Sequence, residues 1–161
     1  MVLYNVPSRT NLNINPETVK ALAELENVVA IKECNFAQVG EIINLCGDQL
    51  TVYSGEDGLV LPMLALGGQG VISVMANIIP HDTHELVAQF MAGDWEASRR
   101  IQLKTLDLVK ALFSEVSPIP IKTAMNLLGM QVGQCRLPLV EMGEANTRLL
   151  KTELAKYGLL S

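Results

Sequence analysis

The chain has 161 residues, of which 49% are hydrophobic and 18% charged, with a net charge of −5, a pI near 5.0 and a mean hydropathy of +0.28. That length suits one domain with a buried core and is short for a closed α/β barrel, which takes ~250 residues. Only 4% is aromatic and the basic residues are scattered, which argues against a nucleic-acid partner; no apolar run reaches the ~18 residues of a bilayer span.

In chain order, Val2-Leu3-Tyr4 reads as the end of a strand and Asn5 to Thr10 as the loop leaving it. Asn15-Pro16-Glu17 has an N-cap, a proline at the first helical position and an acid in the first turn, so a helix of about three turns follows. Residues 28–32 form a second strand, and a helix from Asn35 with Val39, Ile42, Ile43 and Cys46 on its apolar face stops at Gly47. Leu50-Thr51-Val52-Tyr53 is a third strand, Ser54 to Gly58 its exit loop, and a helix with Pro62 near its start runs to Leu66. After the turn Gly67-Gly68-Gln69-Gly70 comes a fourth strand, Val71 to Val74. The remainder is helical: His81 to Met91, capped by Asp82 or Thr83; Asp94 to about Val116; Pro118 to Leu128; and Gly143 to Tyr157.

Strand, loop and helix repeat four times, which implies parallel strands with right-handed crossovers and all C-terminal strand ends on one rim. Tyr4, Lys32, Ser54-Gly55 and Ile72-Ser73 fall on that rim. Val28-Val29-Ala30-Ile31 delivers Lys32 there, at the end of a buried strand. Burial disfavours an ammonium, so an amine in such a place is a nucleophile for a ketone and can form an imine. The plain alternative is a lysine leaving a strand for solvent, as most lysines do. Convergence of four strand ends on this residue favours the chemical reading.

Tyr4-Asn5-Val6-Pro7-Ser8-Arg9-Thr10, Val29-Ala30-Ile31-Lys32-Glu33, Tyr53-Ser54-Gly55-Glu56-Asp57 and Gly67-Gly68-Gln69-Gly70-Val71-Ile72-Ser73-Val74 together resemble the dihydrodipicolinate synthase and N-acetylneuraminate lyase family. Pro118-Ile119-Pro120-Ile121-Lys122 and Arg136-Leu137-Pro138-Leu139 look like that family's C-terminal helical region. The resemblance covers the whole chain but only the back part of the family's chain. It implies an α/β fold, a half-barrel resembling strands 5 to 8 of a (β/α)8 TIM barrel, over residues 1–93. A C-terminal helical region would occupy 94–161.

By the same resemblance Lys32 is the imine-forming residue, Tyr4 the proton donor and acceptor beside it, and Arg9 the group that binds the carboxylate of aspartate 4-semialdehyde. Gly55 and the backbone of Ile72 would line the pyruvate pocket. The implied activity is that of a lyase in lysine and diaminopimelate biosynthesis, condensing pyruvate with the semialdehyde and needing no cofactor beyond the covalent imine. A guanidinium at Arg9 suits a dicarboxylate-derived aldehyde, which favours this over the alternative of a sugar-acid aldolase. A further alternative is a catalytically incomplete half-barrel or scaffold. Without the first four strands the sheet should have long apolar edges and an open inner face. A homo-oligomer, or a partner supplying the missing half, is expected to cover them, and the isolated chain to turn over poorly.

Other candidates read more plainly. His81-Asp82-Thr83-His84-Glu85 lacks the order of a zinc-protease motif and has no further ligands at zinc-like spacing. The Gly67–Gly70 segment precedes a strand, not a helix, so a turn is expected instead of a phosphate cradle. Cys34, Cys46 and Cys135 fit no disulfide or metal spacing, and Cys34 has no neighbouring histidine in sequence, so core packing is its default. Tyr4-Asn5-Val6-Pro7 breaks any signal-like apolar run near Met1, and a cytoplasmic location is the expectation.

Overall fold

The computed structural model describes residues 1–160 and contains one parallel sheet of four strands in the order β1-β2-β3-β4. These are β1 (Val2–Asn5), β2 (Ala30–Glu33), β3 (Thr51–Ser54) and β4 (Gly70–Val71). The register sets Tyr4 beside Lys32, Lys32 beside Tyr53 and Tyr53 beside Gly70, so these residues form one row across the sheet.

Helices occupy every connection. α1 (Pro7–Thr10) and α2 (Pro16–Ala23) lie between β1 and β2, α3 (Val39–Cys46) before β3, and α4 (Val60–Ala65) before β4. α5 (Pro80–Met91), α6 (Trp95–Leu112), α7 (Ile119–Leu127) and α8 (Glu144–Tyr157) follow the sheet. Local chemistry explains most boundaries. Pro16 starts α2 with its fixed φ, Gly47 leaves α3 at φ 53°, and the Asp94 carboxylate accepts the Ala97 N–H at 2.9 Å to cap α6.

Several boundaries differ from the sequence reading, each for a local reason. The loop after β1 contains the single turn α1, because Pro7 is set for a first helical position. The fourth strand ends at Val71, since the N–H groups of Val74 and Met75 donate to the Asp57 carboxylate and not to a neighbouring strand. Pro80, and neither Asp82 nor Thr83, opens α5; the Thr83 hydroxyl donates to the Ile79 carbonyl at 2.8 Å. α6 stops at Leu112, and Glu115 turns away to accept the Gly143 N–H and the Asn146 amide at the start of α8.

Because strand side chains alternate, the sheet has two unlike faces. On one, Ile31 and Val52 pack with Val19, Val39, Ile42 and Met63. A second apolar cluster joins α4 to α5, α6, α7 and α8 through Leu64, Leu86, Leu112, Ala124 and Leu154, so packing runs continuously past residue 93. Each fully buried Leu or Ile contributes roughly 1.5–3 kcal/mol. The opposite sheet face is bare: Val2 is 50% and Tyr4 52% exposed, and Lys32, Thr51 and Tyr53 are half-buried. That face mixes apolar and polar groups instead of being uniformly apolar, and its edges are short, with no strand longer than four residues. Among the described residues, no helix is long and apolar enough to cross a membrane.

Candidate active site

Lys32 stands on the bare face near the C-terminal end of β2, with Nζ 4.2 Å from the centroid of the Tyr4 ring. The register makes this contact inevitable, since residues aligned on adjacent strands point the same way. The approach is to the face of the ring, a cation–π geometry.

Gly55 completes this corner. A Cβ there would stand 2.3 Å from Cys34 Sγ, 3.2 Å from Lys32 Cε and 3.3 Å from the Glu33 carbonyl oxygen. Glycine lets the loop after β3 lie against the end of β2, where the Gly55 N–H donates to the Glu33 carbonyl at 2.8 Å. The Ile72 N–H donates to the Ser54 carbonyl at 2.9 Å, which brings the segment after β4 to the same rim. The Ile72 side chain itself is exposed. Arg9 is exposed on α1, and its charge acts on the Glu56 carboxyl.

Three further groups belong here that the sequence reading did not place. Cys34 lies beside Lys32 and Gly55 and not in the core; burial, then the Glu56 carboxylate, push its thiol up to about 11. Glu56 is half-buried, and desolvation lifts its carboxyl above the usual range against the pull of Cys34, Lys32 and Arg9. Asp57 is buried, and desolvation raises its carboxyl too, opposed by Ser73, the N–H groups of Met75 and Val74, and Lys32. The charge of Lys32 thus acts on two acids, Glu56 and Asp57. The signal was present as Glu56-Asp57 in the exit loop, but nothing local says which way those side chains turn.

Behind the site, on the helix-covered side, Glu33 is fully buried in a polar network. Its carboxylate accepts from the Asn5 amide at 2.8 and 3.0 Å, from the Gln38 amide at 2.9 Å and from the Asn35 N–H at 2.6 Å. Asn13 bridges Asn5 and Gln38, accepting from one and donating to the other. Burial raises the Glu33 carboxyl despite these donors. The network ties the Arg9-bearing connection to the end of β2.

His81 and His84 are exposed on α5, and among the described residues no group of three His, Cys, Asp or Glu side chains could hold a metal ion. Residues 67–69 form a turn and Gly70 already belongs to β4; Gly68 sits so close to Met63 that a Cβ would meet its carbonyl oxygen at 2.9 Å. Neither of two hollows is lined by Lys32: one of about 410 Å³ lies between α7, the 129–143 connection and the start of α8, and one of about 620 Å³ lies between the end of α3, β3 and the turn before β4.

Parallel strands with covering helices, and polar groups gathered on the loops after the strands, define an α/β protein of the class that binds ligands at the C-terminal rim of the sheet. Within that class the chain belongs to the Dihydrodipicolinate synthetase family, whose sequence profile matches residues 1–156. A 4-hydroxy-tetrahydrodipicolinate synthase of Acetivibrio thermocellus is 67% identical over 160 residues, spanning 99% of this chain and 55% of that protein. One from Caldicellulosiruptor bescii is 53% identical over 161 residues, spanning 99% and 54%. The crystal structure of a dihydrodipicolinate synthase from Thermotoga maritima superposes with a TM-score of 0.95 at 42% identity, over 99% of this chain and 56% of that one. The chain therefore spans about half the length of the relatives it matches.

Proposed function

We propose that this chain is the second half of a 4-hydroxy-tetrahydrodipicolinate synthase, barrel strands 5 to 8 over residues 1–93 with the helical region over 94–161, and that it carries the imine-forming lysine. The observation that supports this best is the corner in which Lys32 Nζ lies 4.2 Å from the Tyr4 ring and Gly55 packs against the same lysine. The Lys32 amine attacks the keto carbon of pyruvate, and loss of water leaves a protonated imine. Loss of a methyl proton then gives an enamine, whose carbon attacks the aldehyde carbon of aspartate 4-semialdehyde. The amino group of the joined chain displaces Lys32 as the ring closes. Tyr4 moves protons at the imine, Arg9 holds the semialdehyde carboxylate, and Gly55 with the Ile72 backbone forms the pyruvate wall.

The experiment is reduction with borohydride in the presence of pyruvate. The chain should gain the mass of one reduced pyruvate on Lys32, and Lys32→Ala should gain none. An adduct that survives in the variant removes Lys32 from its role.

Turnover is a separate matter, and the bare face of the sheet favours a second half-barrel as a requirement for it. Val2, Tyr4, Lys32, Thr51 and Tyr53 line that face, and the relatives are nearly twice as long as this chain. Supplying the remaining part of a relative should raise turnover well above that of the chain alone.

A further inference from the structure

The rim is built from separate loops, and one buried side chain spans two of them. Asp57, 1% exposed, follows β3, yet its Oδ2 accepts the N–H of Val74 at 3.0 Å and of Met75 at 2.9 Å in the segment after β4. The other oxygen, Oδ1, is buried without a hydrogen-bond partner; the Ser73 hydroxyl acts on the carboxyl without reaching bonding geometry with Oδ1. Asp57 is itself held from behind. Its carbonyl accepts the Gln102 side-chain amide at 3.0 Å, and the Gln102 oxygen accepts the Leu61 N–H at 3.0 Å. Gln102 is 4% exposed and lies on α6, so one end of its amide is spent on the β3–α4 connection and the other on the first turn of α4.

We propose that Asp57 is a positioning residue, a buried carboxylate clasp that fixes the 72–75 segment against the Gly55 loop and so sets the width of the pyruvate wall, with Gln102 as its support. Packing alone would be served better by an apolar side chain here. A buried carboxylate with one oxygen unpaired is an expensive way to fill space, and two directed acceptor bonds are what it offers in return. Those bonds end on residues 74 and 75, directly after Ile72-Ser73, while the Ile72 N–H donates to Ser54 from the other side. The segment is therefore pinned at both ends, and its position follows that of the Asp57 carboxylate. The role of Lys32 given above is assumed for the wall, but not for the clasp.

The test uses Asp57→Asn, which keeps the volume but replaces one acceptor oxygen with a donor, and Gln102→Leu, which leaves the carboxylate and removes its support. Two quantities are read on the whole chain: hydrogen exchange at the amides of Val74 and Met75, and the pyruvate concentration giving half-maximal borohydride trapping on Lys32. With folding preserved by circular dichroism, Asp57→Asn should speed exchange at those two amides about tenfold or more, as loss of a charge-assisted acceptor implies. Half-saturation should rise by about tenfold while the maximal trapping rate changes much less, because a displaced wall weakens binding without altering the amine. Gln102→Leu should shift both in the same direction by a smaller factor. Unchanged exchange in both variants overturns the clasp, whatever happens with pyruvate. Faster exchange with unchanged half-saturation overturns its link to the wall. No trapping in the unaltered chain overturns the Lys32 reading instead, and exchange then decides the clasp by itself.

Discussion

Replacing Gly55 with alanine tests the site at its tightest point. The backbone there is not left-handed, so the added methyl brings no conformational strain and acts only through what it meets. It would lie 2.3 Å from Cys34 Sγ, where a comfortable contact is roughly 3.5–4 Å, and 3.2 Å from Lys32 Cε. The sulfur must move by more than ~1 Å or the loop must lift, and such overpacking costs about 1–3 kcal/mol. For a chain of this size that lowers Tm by about 2–10 °C. Trapping of pyruvate on Lys32 should fall too, because the lysine stem is the second atom displaced. Cys34→Ala removes the worst clash, so the double variant Gly55→Ala/Cys34→Ala should recover most of the loss. The coupling between the two substitutions should exceed ~1 kcal/mol, within the range for residues in contact. Thermal unfolding of the four proteins measures it. A Gly55→Ala protein with unaltered Tm and trapping, or a strictly additive double variant, would refute the account of this corner.

Arg9→Ala should weaken use of the aldehyde far more than formation of the pyruvate adduct, read as KM for the semialdehyde in the assembled enzyme against trapping; equal losses would point to folding. Cys34, with its thiol near 11, should react with iodoacetamide more slowly in the folded chain than after urea unfolding at pH 8, and equal rates would contradict the buried setting. Asp82 accepts from Lys104 at 2.8 Å and from the Tyr157 hydroxyl, and the Lys104 contact, then the Tyr157 hydroxyl, hold its carboxyl below the ordinary value. A depressed folded pKa adds stability that is complete above the unfolded pKa, about 4, and fades as pH falls through the folded value. The stability gap between the natural chain and Asp82→Asn should therefore close on acidification, and a constant gap would reject the assignment. Sedimentation at micromolar concentration should show that the chain is not a compact monomer, since its bare sheet face needs cover.

The repeating order of strand, loop and helix was legible because each connection carries its own punctuation: Pro16, Gly47, the turn before β4 and Asp94 all act on their nearest neighbours. The rim residues were legible for the same reason, as each lies just past an apolar run. What local pattern could not give was partnership across the chain. The bonds from Gln102 to Asp57, from Val74 to Asp57 and from Asn5 to Glu33 join residues 45, 17 and 28 positions apart. Those contacts truncated β4, drew Asp57 inward and enclosed Glu33 among amides. Cys34 was misread because its setting depends on Gly55, a glycine whose packing is invisible without the second strand.

Lys32 and Glu33 are consecutive, and the sheet sends them to opposite sides: the amine to the bare face, the carboxylate into the network of Asn5, Asn13, Asn35 and Gln38. If β2 slid by one residue against its neighbours, the two would exchange faces, placing a carboxylate beside the Tyr4 ring and an ammonium among side-chain amides. The misaligned arrangement is penalised twice, since every donor aimed at Glu33 would then meet a cation. A strand of four residues has little of its own to define alignment. In this chain the register of β2 is set by a charged pair of neighbours that tolerate only one assignment of sides, so the amine proposed to react and the carboxylate that aligns the strand occupy adjacent positions.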